Sequence, residues 1–392
     1  MEPGAFELTT HGSIREIGQA AWSSLLGQDS PPFLCFEWLD ALERTGCVEP
    51  ERGWAPMHLT LRQNGKLVAA APAYVKGNSE GEFVFDHSWA RFCEAQLGID
   101  YFPKLVVAVP FTPATGPRLL IAAGAPRPQV TAAFAEGLRQ LTAKIGASSA
   151  HVLFPFEDES NALAEHGFAE RYGLQFHWRN AGYATFDDFL GSFNSKRRNQ
   201  VRRERREMED RGIEIFALTG GDLTLDWVDF IYDFYRSTVN KFYWGRQYLN
   251  RHFFEEVCST MPDKLHVVVA RERAGGKCLA GAFNLLGSRA LYGRYWGALH
   301  ERPFLHFNVC FYFGIEECVR RGLVLFEPGA GGEHKQARGF EPAVTHSAHH
   351  LADPRLDRVV RDFLKRERAA VREHVREAEA ERVARASSQP RR

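Results

Sequence analysis

A short segment near residue 330 carries an acid, an imidazole ring and an amine directly after a glycine-rich turn. Its relevant residues are Gly329, Gly331, Gly332, Glu333, His334 and Lys335. Such side chains can transfer protons and stabilise a developing negative charge. The apolar run before them, 323–326, predicts a buried strand, and ligands of open α/β sheets bind beyond the C-terminal ends of strands. We therefore predict a ligand site here; the alternative is a glycine-rich turn with solvated charges.

Well-known phosphate-binding motifs do not fit this segment. A Walker A loop needs glycine before its lysine and Ser or Thr after it, whereas His334 precedes Lys335 and a glutamine follows. If Gly329 is the first glycine of a dinucleotide fingerprint, the sixth position holds His334 instead of glycine. Backbone amides at Gly331 and Gly332 could still cradle donor phosphates, and both are kept as candidate donor-binding residues.

A dense basic run lies farther upstream. Residues 196–206 contain seven basic side chains and one acid. A helix that holds so many like charges is destabilised by repulsion unless an anion neutralises them. We predict that Arg197, Arg198 and Arg202 bind phosphates, either of a nucleotide cofactor or of RNA. The alternative is a charged helix that is simply solvated.

Two aromatic segments supply candidate substrate-binding residues. Residues 289–297 alternate like a strand, on which Arg294, Tyr295 and Trp296 could wall a pocket. Asp86 lies among aromatic residues and a histidine in the second segment. The alternative is that these aromatic residues belong to the core, as is common in strands.

Repeated patterns predict that the elements positioning these residues are duplicated. Two hairpins, 58–70 and 266–282, are indicated by Asn-Gly and Gly-Gly turns between alternating apolar runs. Two helix–strand pairs, 134–154 and 311–326, follow in the same order. The sequence therefore predicts a duplicated α/β unit with a joint near 167–185; chance similarity of the segments is the alternative.

The remaining elements complete the predicted order. They are a helix at 187–211 that starts after Thr185, helices at 226–238 and 252–261, a strand at 344–352 and a C-terminal helix at 356–386. On the last strand, His346 and His350 share one face and His349 the other. No joint metal site is predicted for them.

Composition excludes several classes of protein. The 392 residues allow two domains, and 49 basic and 49 acidic side chains give zero net charge, which argues against a bulk nucleic-acid binder and predicts no DNA partner. Seven scattered cysteines argue against a disulfide framework or zinc ribbon and indicate a reducing cytoplasm. The N-terminus shows no signal-peptide pattern, and no apolar run approaches the roughly 20 residues that a membrane span needs.

Six segments together match a known family pattern. They are 36–39, 101–113, 115–118, 193–198, 292–297 and 328–335. These segments resemble the FemAB-like family of predicted N-acyltransferases, often labelled peptidoglycan biosynthesis or recognition proteins. The resemblance implies an α/β (α+β) chain with tandem duplicated GNAT (acyl-CoA N-acyltransferase) domains, built from mixed, mostly antiparallel sheets flanked by helices. We place these domains at 1–175 and 176–368, followed by a charged helix and frayed tail at 369–392.

The resemblance also implies an activity, namely transfer of an acyl or aminoacyl group to an amine. Fem-like enzymes have a lysine after the glycine-rich turn at the substrate cleft, and Lys335 matches it; the basic helix start at 196–198 also matches. Aminolysis needs a neutral amine and a polarised carbonyl held together. Glu333 or His334 could accept the amine proton, while Lys335 could stabilise the oxyanion.

The expected donor is acyl-coenzyme A, as a co-substrate without any tightly bound cofactor. The expected acceptor is an amine, such as a peptidoglycan precursor or an amino-acid derivative. Aminoacyl-tRNA, the donor of true Fem transferases, is the alternative, although tRNA needs a broad positive surface. A non-catalytic binding protein on a duplicated GNAT scaffold is the alternative function.

Overall fold

Two compact units make up the chain in a computed structural model, which describes residues 5–241 and 246–387, except for the side chains of Glu333 and of residues 381–387. The first unit comprises residues up to Leu174 together with Val344–His374. The second comprises Gln175–Ala343 together with the chain from Val375. The domain boundaries predicted from the sequence, 1–175 and 176–368, stay a prediction. In the structure, residues 344–374 belong to the same compact unit as the N-terminal part of the chain.

Strands and helices alternate along both parts of the chain. In chain order, the strands of the described residues are β1 (Phe6–His11), β2 (Trp54–Pro56), β3 (His58–Gln63), β4 (Lys66–Ala71), β5 (Ala73–Lys76), β6 (Lys104–Val107), β7 (Leu120–Ile121), β8 (Ser149–Leu153), β9 (Ala169–Arg179), β10 (Ile213–Leu218), β11 (Leu265–Glu272), β12 (Cys278–Leu286), β13 (Ala290–Ala298), β14 (Leu325–Glu327) and β15 (Glu341–Leu351). The α-helices are α1 (Ile14–Ile17), α2 (Gln19–Ser23), α3 (Phe36–Arg44), α4 (His87–Phe92), α5 (Arg127–Lys144), α6 (Glu157–Glu165), α7 (Phe186–Gly191), α8 (Ser195–Asp210), α9 (Val228–Val239), α10 (Arg251–Thr260), α11 (Leu305–Phe307), α12 (Phe313–Arg321) and α13 (Pro354–Ser387). A π-helical segment, Asn308–Tyr312, joins α11 to α12, and a 3-10 helix spans Glu333–Arg338.

The first unit contains two groups of paired strands. One is the antiparallel sheet β1-β3-β4-β7, and the other runs β2-β5-β6-β8-β15, in which β6 and β8 are parallel. Pro72 separates β4 from β5, and proline lacks the N–H that a continuous ladder would need. Phe134 and Leu138 of α5, four residues apart on one helix face, are buried in the core cluster that also contains Val107 and Val152.

In the second unit the strands pair in the order β10-β11-β12-β13-β14-β9. Neighbouring strands are antiparallel except β13 and β14, which run parallel. In both units, one parallel pair of strands is therefore flanked by antiparallel pairs. The mixed α/β fold with sheets flanked by helices confirms the predicted fold class.

Some predicted boundaries change. The single helix predicted at 187–211 is two helices. α7 ends at Gly191 with Ser192 as its C-cap, and Asn194 starts α8 by accepting a hydrogen bond from the Arg197 N–H at 2.9 Å. Thr185 caps α7 by accepting from the Asp188 N–H at 3.1 Å. The joint predicted near 167–185 contains the eleven-residue strand β9. Within the described ranges, every helix is too polar or too short to cross a bilayer.

Candidate functional site

A cavity of about 330 Å³ lies in the second unit. It brings together seven of the residues that the sequence suggested: Arg294, Tyr295, Trp296, Gly331, Gly332, His334 and Lys335. These residues come from β13 on one side and from the loop and 3-10 helix after β14 on the other. The strand-end location predicted for the glycine-rich segment therefore agrees with the geometry.

The cavity forms where the two parallel strands separate. β13 and β14 are paired only from Ala290 opposite Leu325 to Tyr292 opposite Glu327. The chain then leaves β14, while β13 continues to Ala298. At the point of separation a Cβ on Gly293 would lie 3.0 Å from Pro328 Cα, so only glycine permits this close approach.

A β-bulge shapes the β13 wall. Phe283 is opposite Tyr295, but the next residue, Asn284, is opposite Gly293. Arg294 is therefore the extra residue on β13. A bulge bends the strand and re-aims its side chains, which accounts for two consecutive residues, Arg294 and Tyr295, both lining the cavity.

The glycine-rich loop adopts backbone conformations that other residues disfavour. The φ angles of Gly329, Gly331 and Gly332 are +88°, +74° and +92°, all in the left-handed region. At Gly332 a Cβ would also lie 2.8 Å from His334 Cε1 and 3.3 Å from Lys335 Cε. The loop thus needs glycine both for its turn and for the position of the two side chains that follow.

Replacing Gly332 by alanine is expected to lower turnover more than replacing Gly331. Both substitutions impose backbone strain of about 1–3 kcal/mol, but a Cβ on Gly331 has no atom within 4 Å. Gly331→Ala is therefore a matched control that isolates the steric push on His334 and Lys335. Steady-state rates at equal folded fraction provide the measurement, and equal losses in the two variants would contradict this reading.

Lys335 is buried under the loop that precedes it. Its side chain is only 4% exposed, and Nζ donates to the Gly329 carbonyl at 2.6 Å. Burial lowers the Lys335 pKa to about 8, partly opposed by Cys310. At neutral pH the group is mostly an ammonium, so it remains a cation that can stabilise negative charge.

Two histidines face each other across the cavity rim. The rings of His306 and His334 are 5.7 Å apart, and His306 also lies 4.6 Å from the Trp296 ring. Burial, and then the positive charge of His334, Arg338 and Lys335, lowers the His306 pKa to about 4. Burial and the neighbouring cations Lys335 and Arg338 lower the His334 pKa as well. Both rings are therefore neutral at pH 7.

The side chain of Glu333, the other predicted base, lies outside the described part of the chain.

A buried ion pair anchors the 3-10 helix from behind. Arg338 Nη1 donates to the His334 carbonyl at 3.0 Å, and its Nη2 lies 3.4 Å from the Glu204 carboxylate. Glu204 in turn accepts a hydrogen bond from the Tyr312 hydroxyl. The Arg338 guanidinium also covers the Phe307 ring, 3.2 Å from its centroid. Glu204, the one acid within the basic run 196–206 of α8, thus supplies a partner for the site.

The basic candidates of α8 lie elsewhere. The described residues that line the cavity do not include Arg197, Arg198 or Arg202. Arg197 donates to the Ala337 carbonyl of the 3-10 helix, and Arg202 forms an exposed ion pair with Asp187 at 3.2 Å. Phosphate binding by these arginines stays a prediction.

Asp86 belongs to the first unit and is not among the described residues that line the cavity. It is buried in a cluster where Lys104 Nζ lies 2.5 Å from Asp86 and 2.8 Å from Glu82, and the Tyr101 hydroxyl donates to Asp86 at 2.7 Å. Burial alone would raise the Asp86 pKa, but Lys104 and His151 outweigh it and lower that pKa. These contacts give Asp86 a structural role, and its predicted contact with substrate stays a prediction.

The histidines of the last strand do not converge. His349 Nδ1 lies 2.6 Å from His151 Nδ1 in the first-unit core. Within residues 5–241 and 246–387, no three His, Cys, Asp or Glu side chains are grouped to hold a metal ion.

Several cavity residues carry no motif in the sequence. They include Asn284 of β12, Cys310 of the π-helical segment, and Tyr235 and Thr238 of α9. From the sequence, only the alternation of residues in β12 and the helical spacing in α9 could have predicted that these elements direct such side chains inward.

Comparisons with known proteins agree with this architecture. A solved structure of FemX is similar over 91% of this chain and 100% of that chain, with 11% identity and a TM-score of 0.53. A conserved protein of unknown function from Bacteroides thetaiotaomicron is similar over 88% of this chain and 100% of that chain, with 10% identity and a TM-score of 0.50. A tandem GNAT protein from the clavulanic acid biosynthesis pathway is also similar, over 89% of this chain and 99% of that chain, with 12% identity and a TM-score of 0.44. A comparison with curated protein sequences found no match. At these identities the first two structures establish the fold alone.

A comparison with protein families bears on function as well as on the fold. The model of the FemAB-like family, described as peptidoglycan biosynthesis/recognition, matches residues 13–385. Such a match supports a transferase related to peptidoglycan and confirms the resemblance drawn from the six sequence segments. The chain belongs to the FemAB-like family.

Proposed function

We propose that this protein transfers an acyl group from acyl-coenzyme A to an amine, in the cavity of the second unit. One observation carries the proposal: the Lys335 ammonium and the glycine-rich loop share a cavity with the aromatic wall of β13, where two parallel strands separate. The family description favours an acceptor that is a peptidoglycan precursor or an amino-acid derivative.

The side chains of the cavity suit aminolysis of a thioester. A neutral amine attacks the carbonyl, a C–N bond forms, the C–S bond breaks, and the thiolate leaves with a proton originating from the amine. Lys335 supplies a cation for the developing oxyanion. His306 and His334 are neutral and can accept the amine proton, directly or through water. Holding donor and amine together can itself provide roughly 7–11 kcal/mol of the barrier reduction.

Coenzyme A suits the distribution of charge better than tRNA does. The chain has zero net charge, and two arginines of the basic run are paired, Arg202 with Asp187 and Arg205 with Glu316. Affinity for tRNA needs many phosphate contacts, whereas coenzyme A carries only a diphosphate and one further phosphate. All seven cysteines are free thiols, which supports action in the reducing cytoplasm.

The rate of transfer is expected to fall as the pH rises above about 8. The Lys335 pKa is lowered to about 8, so the ammonium that stabilises the oxyanion is lost above that pH. On the acid side the rate rises with pH as the acceptor amine loses its proton. The measurement is kcat against pH from 6 to 10.

Lys335→Arg sharpens this pH test. Arginine stays charged at all these pH values, so any remaining activity should lack the alkaline decline. A wild-type rate that continues to rise beyond pH 9 would show that the Lys335 ammonium is not required.

The proposal is tested by offering each donor separately. Purified protein is incubated with acetyl-coenzyme A or with charged tRNA, and with L-lysine, glucosamine or UDP-N-acetylmuramoyl-pentapeptide as acceptor. Mass spectrometry of the acceptor reads out transfer. We expect acetylation from acetyl-coenzyme A that is insensitive to ribonuclease.

Two results would overturn the proposed donor or the activity. Transfer only from charged tRNA, abolished by ribonuclease, would establish aminoacyl-tRNA as the donor. No transfer from either donor, combined with tight binding of the pentapeptide precursor, would instead establish a binding protein.

A further inference from the structure

We propose that Asn284 holds the amine acceptor by accepting a hydrogen bond from its N–H group, and that His266 and Glu317 position Asn284 for this task. The inference rests on the proposed transferase function and adds a specific acceptor contact to it. Asn284 lines the cavity, although it belongs to β12 and not to the strand or loop that carries the predicted site residues.

Strand pairing places Asn284 between a histidine and a glycine. His266 of β11 lies directly opposite it on one side, and Gly293 of β13 lies opposite it on the other. Gly293, and Pro328, which approaches the position of its absent Cβ, line the same cavity as Asn284. The side chain is otherwise enclosed, because Asn284 is only 5% exposed.

The orientation of the Asn284 amide follows from a chain of three buried groups. Glu317 Oε2 lies 3.4 Å from His266 Nε2, so the carboxylate favours a proton on that nitrogen. With its proton on Nε2, the ring presents Nδ1 as an acceptor. Asn284 Nδ2 lies 3.2 Å from His266 Nδ1 and donates to it. The Oδ1 atom is therefore the acceptor that Asn284 can offer to a ligand.

Glu317 is well suited to fix this arrangement. Burial raises its pKa, but hydrogen bonds from His266, Arg320 and Arg321 outweigh burial and leave the pKa lowered. Arg320 Nε donates to the carboxylate at 2.7 Å and Arg321 Nε at 2.9 Å. A carboxylate held this way stays ionised, and His266 is 0% exposed, so water does not compete for its ring.

An amide oxygen at this position matches the needs of a nucleophilic amine. A neutral amine has N–H groups to donate and one lone pair for attack. A hydrogen bond from one N–H to Oδ1 restricts rotation of the nitrogen, so the lone pair can be directed at the acyl carbon. Asn284 touches the substrate in this scheme, whereas His266 and Glu317 act only through Asn284.

Two substitutions at Asn284 separate acceptance from donation of the hydrogen bond. Asn284→Leu has a similar shape and no acceptor, and we expect kcat/KM for the acceptor to fall about 10–100-fold. Asn284→Asp keeps an acceptor oxygen but loses the Nδ2 donor to His266, so we expect a smaller loss of kcat/KM than in Asn284→Leu. Affinity for coenzyme A, measured by calorimetry, should be unchanged in both variants.

The positioning pair is tested by Glu317→Gln, with Glu316→Gln as its control. Glu316 is the neighbouring residue on α12 and pairs with Arg205 at the surface. Nitrogen NMR of histidine-labelled protein should show His266 protonated at Nε2 in the wild type and in Glu316→Gln. In Glu317→Gln we expect a changed tautomer population and a higher KM for the acceptor.

The outcomes distinguish this inference from the function on which it rests. No transfer by the wild type from acetyl-coenzyme A would overturn both. Normal transfer with an unaffected Asn284→Leu variant of wild-type thermal stability would overturn the Asn284 contact alone. Equal losses in Asn284→Asp and Asn284→Leu would overturn the role of the Asn284 oxygen as an acceptor for the substrate.

Discussion

Lys335→Ala is expected to lower turnover about 100-fold, the size of effect seen when one donor to a developing oxyanion is removed. The variant loses the ammonium that lies under the glycine-rich loop and bonds the Gly329 carbonyl. Among the described residues, the Lys335 side chain donates to the Gly329 and Ala330 carbonyls of one loop, so the fold should survive. The measurement is kcat with saturating acetyl-coenzyme A, together with the thermal midpoint of unfolding.

Gln336→Ala is the matched control for this variant. Gln336 follows Lys335 in the same 3-10 helix, and its side chain is exposed. The control should keep the wild-type rate. If a folded Lys335→Ala protein also keeps that rate, Lys335 does not act in the reaction.

Lys104→Met is expected to destabilise the protein by about 3–5 kcal/mol, because removal of one partner leaves buried charges uncompensated. Lys104 is 0% exposed and holds two buried carboxylates, Glu82 and Asp86, in the first unit. Urea unfolding measures the loss of unfolding free energy. Lys66→Met removes an exposed lysine from the start of β4 and should change stability by less than about 0.5 kcal/mol.

The destabilisation by Lys104→Met should also depend on pH. Burial raises the Glu82 pKa to about 7, although Lys104 opposes the rise. Without Lys104 that pKa rises further, so the folded variant keeps a proton that the unfolded chain releases. A folded pKa above the unfolded value means that stability is lost as pH rises. The deficit relative to the wild type should therefore be larger at pH 8 than at pH 6, and an equal deficit at both would contradict the charge-based explanation.

Local sequence signals were sufficient for much of the fold. The hairpin β3–β4 turns at Asn64 and Gly65, which both have positive φ angles, because this dipeptide favours the tight turn that joins antiparallel strands. The glycine-rich segment was likewise predictable, since three glycines after an apolar strand indicate a backbone that turns sharply. The side chains that follow such a turn are necessarily close to the strand end.

Pairings between distant segments were not predictable in this way. Glu204 appears in the sequence as the one acid in a basic run, and nothing local indicates that it pairs with Arg338. Asp86 looked like a site residue because acid, histidine and aromatic side chains are adjacent, but its partner is Lys104, on a strand eighteen residues away. Asn284 gave no signal, because its role depends on which strand lies beside it. Each case requires the register of strands or the packing of a helix, which one sequence does not specify.

The first unit is built from two segments that lie far apart in the sequence. This arrangement sets the order in which its strands can pair during synthesis. β15 forms an edge-to-edge ladder with β8, from Ser347 opposite Leu153 to Leu351 opposite Ser149. Nearly two hundred residues separate these partners, as the His151–His349 separation of 198 shows. A ribosome must therefore translate residues 175–343 of the second unit before β15 can complete the ladder of the first unit. During that interval β8 presents an unpaired edge, the kind of surface that recruits other strands and aggregates. The nascent chain therefore carries an aggregation-prone edge until residues 347–351 have been made.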